Sequence, residues 1–104
     1  MDSLYARTLL YDFYGELLTD HQKAVYEAFV MEDSSLSEVA EDFGISRQGV
    51  HDLIKRINRI LVNYEDKLHL VERFLKIREK AGQIASLTDD KEILKLTDEI
   101  LEDL

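Results

Sequence analysis

Ser35-Leu36-Ser37-Glu38-Val39-Ala40-Glu41-Asp42-Phe43-Gly44-Ile45-Ser46-Arg47-Gln48-Gly49-Val50-His51-Asp52-Leu53-Ile54-Lys55-Arg56 is the stretch from which the fold follows. Ser35 stands three residues before Glu38, the spacing at which a hydroxyl and a carboxylate satisfy each other's free backbone N–H groups at a helix start. The short helix it opens places Leu36, Val39, Ala40 and Phe43 on one face, and Gly44, which enters the left-handed conformation at little cost, closes it. Ile45 follows, and Ser46 is the N-cap of a second helix. Two capped helices joined by a three-residue turn containing glycine form a helix-turn-helix when the inner positions agree. Here Ala40 is small where the second helix approaches, Ile45 plugs the turn, and Val50 and Leu53 face back into the pair.

That register leaves Arg47, Gln48, His51, Asp52 and Lys55 on the outer face, where a recognition helix presents side chains to base edges. Arg47 and Gln48 match guanine and adenine in bidentate geometry, while Arg56 and Arg59, further along, are placed for phosphates. Between 46 and 60 four cations, Arg47, Lys55, Arg56 and Arg59, face Asp52 alone. An ordinary helical hairpin with a solvated polar face shares part of this pattern. Six structural positions in register, Ala40, Gly44, Ile45, Ser46, Val50 and Leu53, favour the helix-turn-helix.

Upstream, Leu10, Phe13, Tyr14 and Leu17 recur at helical spacing and predict a first helix over about 4–18. Thr19 and Gln22 form another capping box, opening a helix with Val25, Ala28 and Phe29 inward. The aromatic cluster Tyr5, Tyr11, Phe13 and Tyr14 reads as core packing, with Tyr11 as its exposed member. Downstream of Ser46 the composition stays helical to about Ala85. Val50, Ile54, Ile57, Leu61, Tyr64, Leu68, Val71 and Leu75 alternate by four and three, a heptad seam. A break or bend near Asn63 is expected, then a turn over 86–90 and a last helix with Ile93, Leu96, Ile100 and Leu104 on one side. The chain divides on this reading into a helix-turn-helix domain over 1–62 and a helical extension over 63–104. In the extension Leu68, Val71 and Leu75 are the expected homodimer contacts.

The whole sequence of 104 residues carries a net charge of −9 and contains no Pro, Cys or Trp. Such a composition predicts an all-α fold and excludes disulfides, thiolate zinc sites and cysteine nucleophiles. The acidic start Met1-Asp2-Ser3 and the absence of a long apolar run argue against a signal peptide or membrane insertion, leaving the cytoplasm as the expected location. No phosphate-binding loop, nucleophile elbow, zincin helix or dinucleotide fingerprint is present, and His21, His51 and His69 are scattered. No enzymatic activity, metal or cofactor is expected. Acidity weakens non-specific attraction to phosphates, so binding through the basic helix is expected to be modest and salt-sensitive.

Leu18-Thr19, Gln22 and Val25, a short acidic spacer, and then the run from Leu36 to Val50 resemble region 4 of bacterial sigma factors. With the aromatic opening Leu10-Tyr11-Asp12-Phe13-Tyr14 and the later Ile54-Lys55-Arg56 and Tyr64-Glu65-Asp66-Lys67-Leu68, the chain to about Leu75 is similar to the YlxM family of small Firmicute proteins. The resemblance implies a DNA-binding regulatory protein. It also implies a link to the signal recognition particle pathway, whose GTPase is encoded beside that family. An accessory protein of that pathway, using the same helix on structured RNA or on a protein partner, is the alternative. Gly49 departs from the family, which usually carries Ala there, and the match fades after Leu75.

Overall fold

Ser3 starts the first helix in the computed structural model of the chain, which describes residues 3–104; Met1 and Asp2, read above as part of an acidic start, lie outside them. Its Oγ accepts the Ala6 N–H at 3.1 Å and begins α1, Leu4–Tyr14. The α-helical hydrogen bonding stops earlier than the apolar spacing suggests, because Gly15–Leu17 tighten into a 3₁₀ turn. A turn of three residues changes the phase of the stripe, so Leu17 is exposed and Leu18 is buried in its place. Gly15 sits beneath the Tyr11 ring, where an added Cβ would lie 3.0 Å from Cε2.

Both halves of the expected capping box form at Thr19: its Oγ1 accepts from Gln22 N at 3.2 Å, and Gln22 Oε1 accepts from Thr19 N at 3.0 Å. They open α2, Asp20–Tyr26, which widens into a π turn over Glu27–Met31. Val25 is buried as expected, but Tyr26 joins it in the core. Ala28 and Phe29, carried off the centre of the apolar face by the wider turn, are only half-buried. Tyr26 meets its polar requirement by donating from Oη to Asn58 Oδ1 at 3.0 Å.

The capping box at Ser35 and Glu38 begins α3, Leu36–Phe43. Gly44, at φ +67°, adopts the left-handed conformation, and the Ile45 N–H returns to the Ala40 carbonyl at 3.0 Å. Ser46 Oγ then accepts the Gly49 N–H at 2.9 Å and caps α4, the 22-residue helix Arg47–Leu68. Val50, Ile54, Ile57 and Leu61 bury the inner face of α4 against α1, α2 and α3.

No bend marks Asn63. Helix α4 runs through it to Leu68, and His69, at φ +57°, makes the break. The chain forms two compact units, one ending at Leu68 and one spanning His69–Leu104. The second is a helical hairpin: α5, Leu70–Ser86, packs on α6, Lys91–Glu102, across a short turn, with Asp90 Oδ1 accepting from Glu92 N at 2.8 Å as the cap. All the described residues fall into helices, turns and loops, with no strand among them. The fold is all-α and contains the expected helix-turn-helix.

Candidate nucleic-acid interface

Burial of Val50, Ile54 and Ile57 fixes the rotation of α4, and through it the direction of every polar side chain on the helix. Gln48, Asp52, Lys55, Arg56 and Arg59 lie exposed away from that seam, His51 is exposed at its flank, and Arg47, in register with Val50 and Ile54, is exposed because it stands at the helix start. Leu36 of α3 joins Arg47, Gln48 and His51 around an open hollow of about 400 Å³ at the corner of the two helices. A second hollow lies among Asp52, Lys55, Arg56 and Arg59. The six residues expected to bind nucleic acid are thus all exposed on one helix, three around each hollow.

Within this face Asp52 organises its neighbours. Gln48 Nε2 donates to Asp52 Oδ1 at 2.9 Å, and His51 Nδ1 lies 3.7 Å from the same oxygen. Spacing of i, i+4 on a helix makes the first contact local, and it holds the Gln48 amide along the helix axis. Arg47, Lys55, Arg56 and Arg59 take part in no ion pair among the described residues. Their charge is therefore unspent. On α3, Glu38, Glu41 and Asp42 are also exposed, so negative charge stands on the helix next to α4.

All six motif positions occupy the structure as their chemistry suggests. Ala40 and Val50 are buried, Ile45 and Leu53 are half-buried in the corner, Gly44 is left-handed and Ser46 caps. Gly49 has a use: a Cβ there would meet Ser46 Oγ at 3.1 Å. The cap hydroxyl occupies the space that a side chain would crowd.

The aromatic cluster is distributed differently from expectation. Tyr14 is buried, and Tyr11 is half-buried, stacked on Tyr26 at 5.2 Å between ring centroids and donating from Oη to Glu27 Oε1 at 2.6 Å. Burial and this contact with a carboxylate push the Tyr11 hydroxyl well above its ordinary pKa. The exposed member is Tyr5. Of the expected dimer contacts, Val71 is fully buried within the single chain, while Leu68 ends α4 and Leu75 lies exposed on α5. Because His69 interrupts the helix, these three do not form one continuous stripe.

Among the described residues no His, Cys, Asp or Glu cluster suits a metal ion, and no helix is long and apolar enough to cross a membrane.

Residues 1–101 match a protein family described as "Putative helix-turn-helix protein, YlxM / p13 like". The match continues well past Leu75, where the resemblance read from short motifs had faded. A UPF0122 protein of Thermoanaerobacter sp. (strain X514) is 42% identical over 110 residues, covering 99% of this chain and 94% of that protein. One from Acetivibrio thermocellus is 40% identical over 114 residues, covering 100% and 97%. One from Staphylococcus epidermidis is 44% identical over 86 residues, covering 83% and 78%.

Proposed function

We propose that this chain, which belongs to the YlxM and p13-like family of helix-turn-helix proteins, is a DNA-binding regulatory protein that inserts α4 into the major groove. One observation carries the reading: Arg47, Gln48, His51, Lys55, Arg56 and Arg59 are all exposed on α4, the helix that leaves a corner fixed by a left-handed glycine and a capping serine. Arg47, Gln48 and His51, in the first turns, are the base-reading set, with Lys55 beside them. Arg56 and Arg59 contact the backbone. The family is one of helix-turn-helix proteins rather than of enzymes, and binding rather than catalysis is the activity the site supports.

Charge sets the expected strength. The four cations of α4 act against the acids of α3 and a chain of net charge −9, so affinity depends on a matched site and falls steeply with salt. Reading DNA places the protein in the cytoplasm, and a second copy strengthens its hold on a divided site.

Selection from a pool of random duplexes, followed by anisotropy titration, tests the reading. An enriched sequence bound about 10³-fold or more above random duplex is the expected result. Absence of enrichment overturns it. A link to the signal recognition particle pathway, implied by the family resemblance, supplies the second arm. Retention of structured RNA, with no preference among duplexes, assigns the same basic face to an accessory role there.

A further inference from the structure

In the hairpin, Ala81 and Ala85 of α5 and Leu94, Thr97 and Leu101 of α6 are buried or half-buried and mark where the two helices meet. Another apolar set remains in water. Ile77, Ile84, Ile93, Leu96 and Ile100 keep between 37% and 51% of their surface exposed. At about 100° per residue, both the α5 and the α6 members lie to the same rotational side of their own seam. The helices run antiparallel across a short turn, so that shared offset puts both stripes on one face of the hairpin. A two-helix unit of this size, below the roughly 40 residues at which a chain sustains a core unaided, needs such a face covered.

Charge says what covers it. Along the outer edge of the α5 stripe stand Arg73 and Lys80; along that of the α6 stripe stand Glu99 and Asp103. Lys80 and Glu99, and likewise Arg73 and Asp103, lie at similar distances along the chain from the turn at 87–90. The face is therefore complementary to a copy of itself. We infer that it is a homodimer interface in which two hairpins close into a four-helix bundle, each α5 packing antiparallel on the α6 of the other copy.

Only a two-fold axis parallel to the helices gives that pairing. An axis across them would set α5 on α5 and α6 on α6, with like charges together. The parallel axis brings both α5 N-termini to one end of the bundle, so two helix-turn-helix units attach there, as a site with two half-sites requires. This interface replaces the seam of Leu68, Val71 and Leu75, since Val71 is already buried in the single chain. The pairing goes beyond the nucleic-acid reading and stands without it.

Sedimentation of the full chain, with no nucleic acid present, tests it. A species of twice the 12.1 kDa chain mass is expected at micromolar concentrations, and a monomer throughout overturns the inference. Ile84→Glu forces a charge into the apolar seam and should raise the dimer dissociation constant at least about tenfold. Circular dichroism of unchanged helix content then separates dissociation from unfolding. The chain with Arg73→Glu and Lys80→Glu, changed only at exposed edges, should self-associate weakly yet form mixed dimers with a Glu99→Lys, Asp103→Lys chain. Undiminished self-association of the first variant overturns the α5-on-α6 arrangement.

Discussion

Tyr14 Oη donates a 2.6 Å hydrogen bond to Glu65 Oε1, joining the end of α1 to the last turns of α4 across 51 positions of sequence. Both side chains are buried, and the Tyr14 ring also stacks on Tyr64 with centroids 5.9 Å apart. Since α4 carries the basic face, this contact helps fix the recognition helix on its support. Tyr14→Phe keeps the ring and removes the donor, so it should cost about 1–3 kcal/mol, the range for losing a bond to a buried acceptor. Urea denaturation measures it. An unchanged midpoint would show that the bond contributes nothing to stability.

Why some of this was legible and some was not follows from the kind of signal each feature leaves. The starts at Thr19, Ser35 and Ser46 depend on side chains bonding to backbone three residues on, and the stop at Gly44 on a residue free to turn left-handed, so all four are written locally. The break at His69 uses no glycine or proline, and the alternation of Leu68, Val71 and Leu75 runs through it undisturbed. Glu65 is polar and reads as surface from its own neighbourhood; the hydrogen bond from the distant Tyr14 helps make its burial tolerable. The π turn after Tyr26 likewise shifts phase without any residue that announces it. On α4 the exposure of Gln48, Asp52, Lys55, Arg56 and Arg59 follows from the burial of Val50, Ile54 and Ile57, which is why that part of the candidate interface was readable.

At Gly44 the backbone has φ +67°, and nothing lies within 4 Å of where a Cβ would stand. Space is therefore not the constraint; conformation is. Gly44→Ala should destabilise by about 1–2 kcal/mol, the cost of a left-handed Cβ residue, and Gly44→Asn by distinctly less. Thermal melts of the two variants check the order. Equal losses would point to a cause other than backbone conformation.

Tyr11 and Tyr26 give the fold an alkaline limit. Burial raises both hydroxyls above the ordinary value of about 10, aided at Tyr11 by Glu27 and opposed at Tyr26 by Arg7. Above that value the unfolded chain releases protons that the native state retains, so stability is complete below about pH 10 and declines as pH rises beyond it. Tyr11→Phe should flatten the decline. Urea midpoints taken on either side of the transition test this, and an equally steep fall in the variant would remove Tyr11 from it.

Arg47 and Arg59 separate two ways of touching DNA. If Arg47 reads a base, Arg47→Ala should cost about 1–3 kcal/mol on the selected site and much less on random duplex. Arg59→Ala should weaken all sequences alike and reduce the slope of log affinity against log salt by about one. Equal losses for Arg47 on both duplexes would end its base-reading role, and an unaltered slope would take Arg59 out of the interface.

Gly49 poses propensity against capping at the start of the same helix. Exchanging an exposed mid-helix glycine for alanine gains about 1 kcal/mol in the absence of other contacts. Here the new Cβ would stand 3.1 Å from Ser46 Oγ, the atom that accepts the Gly49 N–H at 2.9 Å. Accommodating it moves the cap hydroxyl by a few tenths of an ångström and weakens a contact of a kind worth about 1 kcal/mol. Gly49→Ala should therefore stabilise by clearly less than the propensity gain. Made in a Ser46→Ala background, where no hydroxyl remains to crowd, the same change should recover most of that gain. A double-mutant cycle from melts of the four proteins measures the coupling. Strict additivity would show that the missing side chain at Gly49 has nothing to do with the cap.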